Sequence, residues 1–485
     1  MIRRRAPRLP SAGRPGRAPA AYGAATAVAA LLTALCAPAA AAGPPIVDES
    51  ALGAAVAVNA RGGPPEPTEQ RHLCAEPIMS GPPPQEPPAA QRVLDLPSAW
   101  RFSTGAGQKV AVIDTGVNRH PRLPLLQPGG DFVSDSDGTV DCDGHGTLVA
   151  GLIAARPDPG DAFAGVAPDA EILAIRQLSL AYEAKDRAAD QTPGRIAPAG
   201  YGTVLTLAAA VVRAVDMGAS VVNISEVACT PVGGDPADAA LGAAVKYAYD
   251  RDVVVVAAAG NIQQGGACES QNAGSGWDSV STTVTPARFS PYVLTVASVE
   301  ADGSASPFSI AGPWVAVAAP GREIVSLDSK PGGAGLVNTV QTGEGTASVD
   351  GTSFSTAYVS GLAALVRARF PHLRAQQVMD RITRTAHGPG AGRDDRIGHG
   401  LIDPLAALTA HLPDQPVSAG ADAGRAIAAP APPPYRDPLP RRVATIGSLT
   451  LLGAAGIGWA LSIPFRRDRD DDVDPGEGIF PGEGR

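Results

Sequence analysis

Gly351-Thr-Ser-Phe-Ser-Thr-Ala-Tyr-Val-Ser-Gly361 is the stretch from which the fold is read. Small residues open it, and Tyr358, Leu362, Leu365 and Val366 then recur at steps of three and four, the spacing of a helix with a buried face. Ser353 therefore falls on a glycine-preceded turn where a helix begins. Free N–H groups and the positive end of the helix dipole favour negative charge there, which suits a nucleophilic oxygen and the oxyanion it creates. A plain N-cap serine is the commoner occupant of such a position.

Two upstream segments supply partners. Lys109-Val-Ala-Val-Ile-Asp-Thr-Gly-Val117 reads as a buried parallel strand that carries Asp114 at its C-terminal end, where open α/β sheets place their sites. Asp143-Gly-His-Gly-Thr-Leu-Val-Ala-Gly151 sets His145 between two glycines at the start of another helix rich in small residues. Taken singly, Asp114 is a strand-end turn residue and His145 a helix cap. Together the three side chains offer a hydroxyl, a base to take its proton and an acid to orient the base.

With these three segments in the order Asp, His, Ser, the chain resembles the subtilisin-like serine proteases. The resemblance implies an α/β fold, a doubly wound parallel sheet flanked by helices, and catalytic roles for Asp114, His145 and Ser353. Asp252-Val-Val-Val-Val-Ala-Ala-Ala-Gly-Asn261 matches the family's oxyanion-hole segment, so Asn261 is the expected donor, with the Ser353 N–H as a second. Ser225, with Glu226 after it, and Gly260, with Ala258 and Ala259, match the edges of the substrate cleft. Ser225 reads equally well as a strand-end turn residue. The family usually has proline four residues after the serine, where this chain has Ala357; a local change in helix stability with retained chemistry is expected.

Hydrophobic residues make up 44% of the 485, which with the moderate charge is globular, and the length exceeds one ordinary domain. A net charge of −9 and the lack of a basic stripe exclude a nucleic-acid partner. Residues 1–42 read as a signal peptide: an arginine-rich start, an Ala/Leu-rich stretch from Tyr22 to Leu35, then the small-residue run Ala37-Pro-Ala-Ala-Ala-Ala42. Residues 43–91 are proline-rich and lack periodicity, so an extended arm is expected, or a removable propeptide. The protease domain spans 92–411 and opens with one short helix over Val93–Trp100. A helix is expected to start at Asp235-Pro236, with acid and proline in cap positions.

Cys36 leaves with the signal, so Cys74, Cys142, Cys229 and Cys268 remain in an oxidising compartment. Three pairings are open to them. Cys74–Cys142 would clamp the arm beside the active site, and Cys229–Cys268 would then close a loop on the way to Asn261. No C-x-x-C occurs and the acidic loop Asp131–Asp143 lacks the spacing of a calcium site, so no metal or other cofactor is expected and the loop is read as solvated. Ala181–Gly202 reads as a polar surface insertion.

Residues 412–440 form a Pro/Ala-rich linker. Val443–Phe465 carries no charged residue, and about 20 residues suffice to cross a bilayer, so 441–466 is expected to be a membrane anchor and 467–485 an acidic cytoplasmic tail. Arginines flank the apolar run on both sides, which leaves orientation to the signal peptide. This layout is similar to that of the mycosins, membrane-anchored proteases of type VII secretion. It implies an extracytoplasmic endopeptidase at the cell membrane that acts on a protein or peptide substrate and meets subunits of a secretion channel. A structural subunit whose protease activity is secondary, and a general degradative surface protease, are the competing readings.

Overall fold

In a computed structural model of the chain, the described residues are 42–186, 196, 200–263, 268–342, 345–390, 392–412, 447–455 and 457. The chain divides into two units, Met1–Asp414 and Gln415–Arg485. The expected signal peptide, linker and tail, and most of the expected anchor, lie outside the described residues.

In the first unit, seven segments, all but β2 rich in β-branched residues or alanine, form one parallel sheet: β1 (Lys109–Asp114), β2 (Leu126–Asp131), β3 (Glu171–Arg176), β4 (Val221–Ile224), β5 (Val254–Ala258), β6 (Val293–Val299) and β7 (Val315–Pro320). Their order is 7-6-5-4-1-3-2, and every neighbouring pair runs parallel. A switch in strand order beside β1 opens a crevice at the carboxyl ends of the strands. Alternate residues face opposite ways along a strand. Val110, Val112, Val254 and Val256 accordingly lie in one core, and Ala111, Ile113, Val255 and Ala257 in another.

The helices are α1 (Leu52–Arg61), α2 (Ala89–Val93), α3 (Leu96–Trp100), α4 (His145–Ala154), α5 (Val204–Asp216), α6 (Ala239–Asp250), α7 (Thr352–Arg369), α8 (Ala375–Thr385) and α9 (Pro404–Thr409). α4, α7 and α8 cover the first face, while α1, α5 and α6 cover the second. α7 is buried from Thr352 through Val366. A helix sunk this deeply must be built of small and apolar residues on all sides, which Gly-Thr-Ser-Phe-Ser-Thr-Ala supplies. Ala357 is its sixth residue and fully buried, past the first turn where a proline would cost no hydrogen bond.

Several expectations need correction. The arm is not wholly extended: α1 forms within it and buries Ala55 and Val58 against α5 and α6. Downstream, Thr68–Gln70 pairs antiparallel with Tyr182–Ala184, so the start of the 181–202 insertion is a strand edge holding the arm. The expected helix at Val93–Trp100 is two helices, broken at Asp95 by a left-handed backbone. The helix expected from Asp235 begins at Ala239. Asp235 instead accepts from Ala237 N–H at 2.8 Å in a local turn, a conformation that competes with helix.

The Asp131–Asp143 loop is solvated only in part: Asp135 and Asp137 are exposed, but two of its acids are internal. Asp131 is 1% exposed, lies 3.5 Å from the buried Arg176 guanidinium and accepts from Val133 and Ser134 N–H. Asp141 is also internal. Carboxylates that meet backbone N–H groups can be buried where free ones cannot.

The two disulfides are Cys74–Cys142 and Cys229–Cys268. Ala75 N–H also donates to Cys142 O at 2.8 Å, so the arm is fixed to the loop that precedes α4 by a covalent and a hydrogen bond. In the second unit, the described residues are helical and expose Leu449, Leu451, Leu452 and Ile457. Among the described residues no helix is long and apolar enough to cross a membrane.

Candidate active site

Asp114 ends β1 and is fully buried. Its Oδ1 lies 2.7 Å from His145 Nδ1 and accepts from Thr115 N–H at 2.8 Å. An acceptor on Nδ1 fixes the tautomer with the proton there and leaves Nε2 as the free base. His145 itself is the first residue of α4, and its side chain is 27% exposed.

The flanking glycines are geometric requirements. Gly144 is left-handed, with φ of 80°. A Cβ on Gly146 would stand 2.1 Å from Gly116 O and 3.0 Å from Asp114 Cβ, so only glycine lets the helix come this close to the acid. The turn is fastened by Asp141. Its carboxylate accepts from Gly144 N–H at 2.7 Å, Thr147 N–H at 2.9 Å, Thr147 Oγ1 at 2.6 Å and Thr115 Oγ1 at 2.9 Å. Burial pushes its pKa up to about 6, against the Thr147 hydrogen bonds, which lower it. Thr115 Oγ1 in turn accepts from Gly146 N–H at 2.9 Å, tying the acid's strand to the histidine's helix.

Ser353 stands in the first turn of α7 and is 6% exposed. Its N–H belongs to the set that has no intrahelical acceptor. Phe354, the next residue, lays its ring 5.2 Å from the imidazole of His145, so the helix start and the histidine meet. The Ser353 hydroxyl forms no hydrogen bond among the described residues; contacts of this kind commonly tighten only once substrate is bound.

Asn261 follows β5. Its Oδ1 accepts from Thr352 N–H at 3.0 Å and from Thr352 Oγ1 at 2.9 Å. Both bonds need the carbonyl end of the amide, so Nδ2 is turned the other way, beside Gly351, and remains available as a donor. Gly260 N–H donates to Thr352 Oγ1 at 3.3 Å. Ser225 directly follows β4, and Asn223 Nδ2 donates to its Oγ at 2.9 Å while Asn223 Oδ1 accepts from Ser360 of α7 at 2.8 Å.

The expected acid, histidine, serine and asparagine are thus gathered at one end of the sheet. Sequence reasoning passed over Thr352, Thr115, Asp141 and Asn223. Thr352 and Thr115 carried a local signal, their places beside Ser353 and Asp114; the others act through contacts across the fold.

Glu226 comes closer to the histidine than a place on the cleft edge suggested, with Oε1 3.8 Å from His145 Nδ1. Burial raises its pKa, opposed by the nearby imidazolium. Burial disfavours the charged form of His145, but Asp114, then Glu226 and Asp141, outweigh it and hold its pKa well above the usual imidazole range. Among the described residues, Asp114, His145 and Glu226 are the one trio able to hold a metal ion, and His145 Nδ1 is already committed to Asp114.

Residues 105–400 match the Subtilase family (peptidase S8). The chain is 46% identical over 449 residues to Mycosin-1 of Mycobacterium tuberculosis, covering 89% of this chain and 96% of that protein. It is 47% identical over 402 residues to Mycosin-4 of the same organism, covering 82% and 83%. The crystal structure of MycP1 from Mycobacterium smegmatis superposes with a TM-score of 0.71 at 44% identity, over 77% of this chain and 97% of that one. A chain in the structure of an intact ESX-5 inner membrane complex superposes with a TM-score of 0.70 at 40% identity, over 86% and 100%.

Proposed function

The chain belongs to the subtilase family of serine proteases and to the mycosins within it, and from that premise we propose that Asp114, His145, Ser353 and Asn261 carry out peptide-bond hydrolysis. Ser353 Oγ attacks the peptide carbonyl and passes its proton to His145 Nε2, while Asp114 holds the imidazole and stabilises its cationic form. The oxyanion that forms takes hydrogen bonds from Asn261 Nδ2 and the Ser353 N–H. As the intermediate collapses, His145 gives its proton to the departing amine, and water then frees Ser353 by the same steps in reverse. Ser225 and Gly260 line the bound peptide.

The single observation that carries this reading is the 2.7 Å bond from His145 Nδ1 to Asp114, because in the neutral ring it keeps the proton on Nδ1 and leaves Nε2 to face the hydroxyl. A serine-directed phosphonate tests it. Wild type is expected to become labelled at Ser353, located by peptide mass spectrometry, and Ser353→Ala to stay unlabelled. Label on a different residue, or none on wild type, would sink the assignment.

The protease works outside the cytoplasm, exported by residues 1–42 and anchored by 441–466, in association with a type VII secretion channel. Support comes from the apolar run at 443–465 and from the likeness to a chain of an ESX-5 inner membrane complex. That same likeness favours a second role, as a subunit that stabilises the complex. Secretion that requires the chain but tolerates Ser353→Ala would separate this role from proteolysis.

A further inference from the structure

We propose that Glu226 is a positioning residue for the catalytic base, a second carboxylate that shares the imidazolium of His145 with Asp114 and sets the pH at which Nε2 becomes free to accept a proton. The proposal rests on His145 acting as that base.

The geometry separates the two acids by role. Asp114 Oδ1, at 2.7 Å, is within hydrogen-bonding reach of Nδ1 and orients the ring. Glu226 Oε1, at 3.8 Å, is too far to take the same proton and acts on the ring by charge alone. Its side chain is only 19% exposed, so bulk water screens that charge poorly. The carboxylate forms no hydrogen bond among the described residues. A mostly buried acid with no donor of its own is costly to keep, and among the described residues the imidazolium is the cation that acts on it to offset that cost.

The charged groups acting on the ring are Asp114 at the end of β1, Asp141 before α4 and Glu226 after β4, while Asp143 acts on Glu226. Arg176, at the end of β3, acts on Asp143. Phe354 of α7 adds an apolar cover. Of these acids Asp141 already accepts five donors and Asp143 accepts from Ser179 and Leu180. Glu226 is therefore the group whose charge is left for the histidine.

A nearby carboxylate favours the charged ring, so the sign follows. Glu226→Gln keeps the shape, removes the charge and lowers the pKa of His145. An opposite charge at this range is typically worth about one pH unit or more. The acid limb of phosphonate labelling, which needs the free base, then moves down by about one unit. One unit below the wild-type midpoint, the variant reacts about fivefold faster.

Two readings of the detergent-solubilised full chain test this. One is the pH profile of phosphonate labelling at Ser353. The other is the pH profile of carbethoxylation of His145 by diethyl pyrocarbonate, followed by peptide mass spectrometry, also on a Ser353→Ala background. Both midpoints are expected to fall together in Glu226→Gln. An unmoved or raised carbethoxylation midpoint overturns the proposal. A lowered carbethoxylation midpoint with no phosphonate label at any pH leaves it standing and removes the proposed nucleophile instead. If Glu226→Gln does not fold, Glu226→Asp, which withdraws the charge by one methylene, is expected to shift both midpoints the same way by less. No shift there is equally fatal.

Discussion

Asn261 can serve an oxyanion only with its amide the right way round, and Thr352 decides that. With Oδ1 held by the Thr352 N–H and hydroxyl, Nδ2 is aimed before any substrate arrives, so no reorganisation is needed during the reaction. Asn261→Ala is expected to lower kcat by about 10²–10³ with little change in KM, since the donor engages only as the oxyanion forms. Thr352→Val keeps the backbone bond and loses the hydroxyl bond, so kcat should fall by less, about tenfold. Steady-state kinetics on a cleavable peptide separates these outcomes, and a rise in KM in place of the fall in kcat would contradict them. Asp114, His145 and Ser353 were legible because each sits amid turn-forming residues at the end of a patterned segment. Thr115 and Asp141 were not, and Glu226 was read only as a cleft-edge residue, because nothing in their own neighbourhoods says which distant atom they will face.

At the scale of elements, the start of α4 holds the histidine, and Asp141 holds the start of α4. Removing its carboxylate leaves the Gly144 and Thr147 N–H groups unpaired inside the protein. Asp141→Ala should therefore cost about 2–4 kcal/mol of stability and also depress kcat by loosening His145. A lowered thermal midpoint with unchanged kcat would mean the turn keeps its shape unaided. Five of the seven parallel strands were readable from β-branched runs, and α7 from its three-and-four spacing; β2, which reads Leu-Gln-Pro-Gly-Gly-Asp, carried no such run, and β7 was passed over. α1 escaped because a ten-residue helix is marginal alone and owes its existence to the faces of α5 and α6 that bury Ala55 and Val58. Val58→Asp should undo that docking at a cost of about 3 kcal/mol. Limited proteolysis would then cut within 43–66 before the core is touched.

Across the whole molecule, the arm and the catalytic core fall in one unit, and the arm's attachment beside the histidine is covalent. Cys74 and Cys142 lie 68 residues apart in sequence, and closing a loop of that length in the unfolded chain is worth about 2–4 kcal/mol. Disulfides persist in oxidising compartments, so this bond supports the export proposed from residues 1–42. The anchor proposed for 441–466 makes the other end of the chain a tether, and tether and catalyst should be separable. A chain ending after Leu412 keeps α9, whose N-terminal cap is Asp403 accepting from Ala406 N–H at 2.8 Å, and so keeps every element that positions the triad. When expressed with its signal, it is expected to leave the membrane fraction for the soluble one and to take phosphonate at Ser353 at the full-length rate. The full chain should stay with membranes through a high-salt wash and come off only in detergent. Full-length protein released by salt alone would show an electrostatic attachment, because burial of about 20 apolar residues in a bilayer is indifferent to screening.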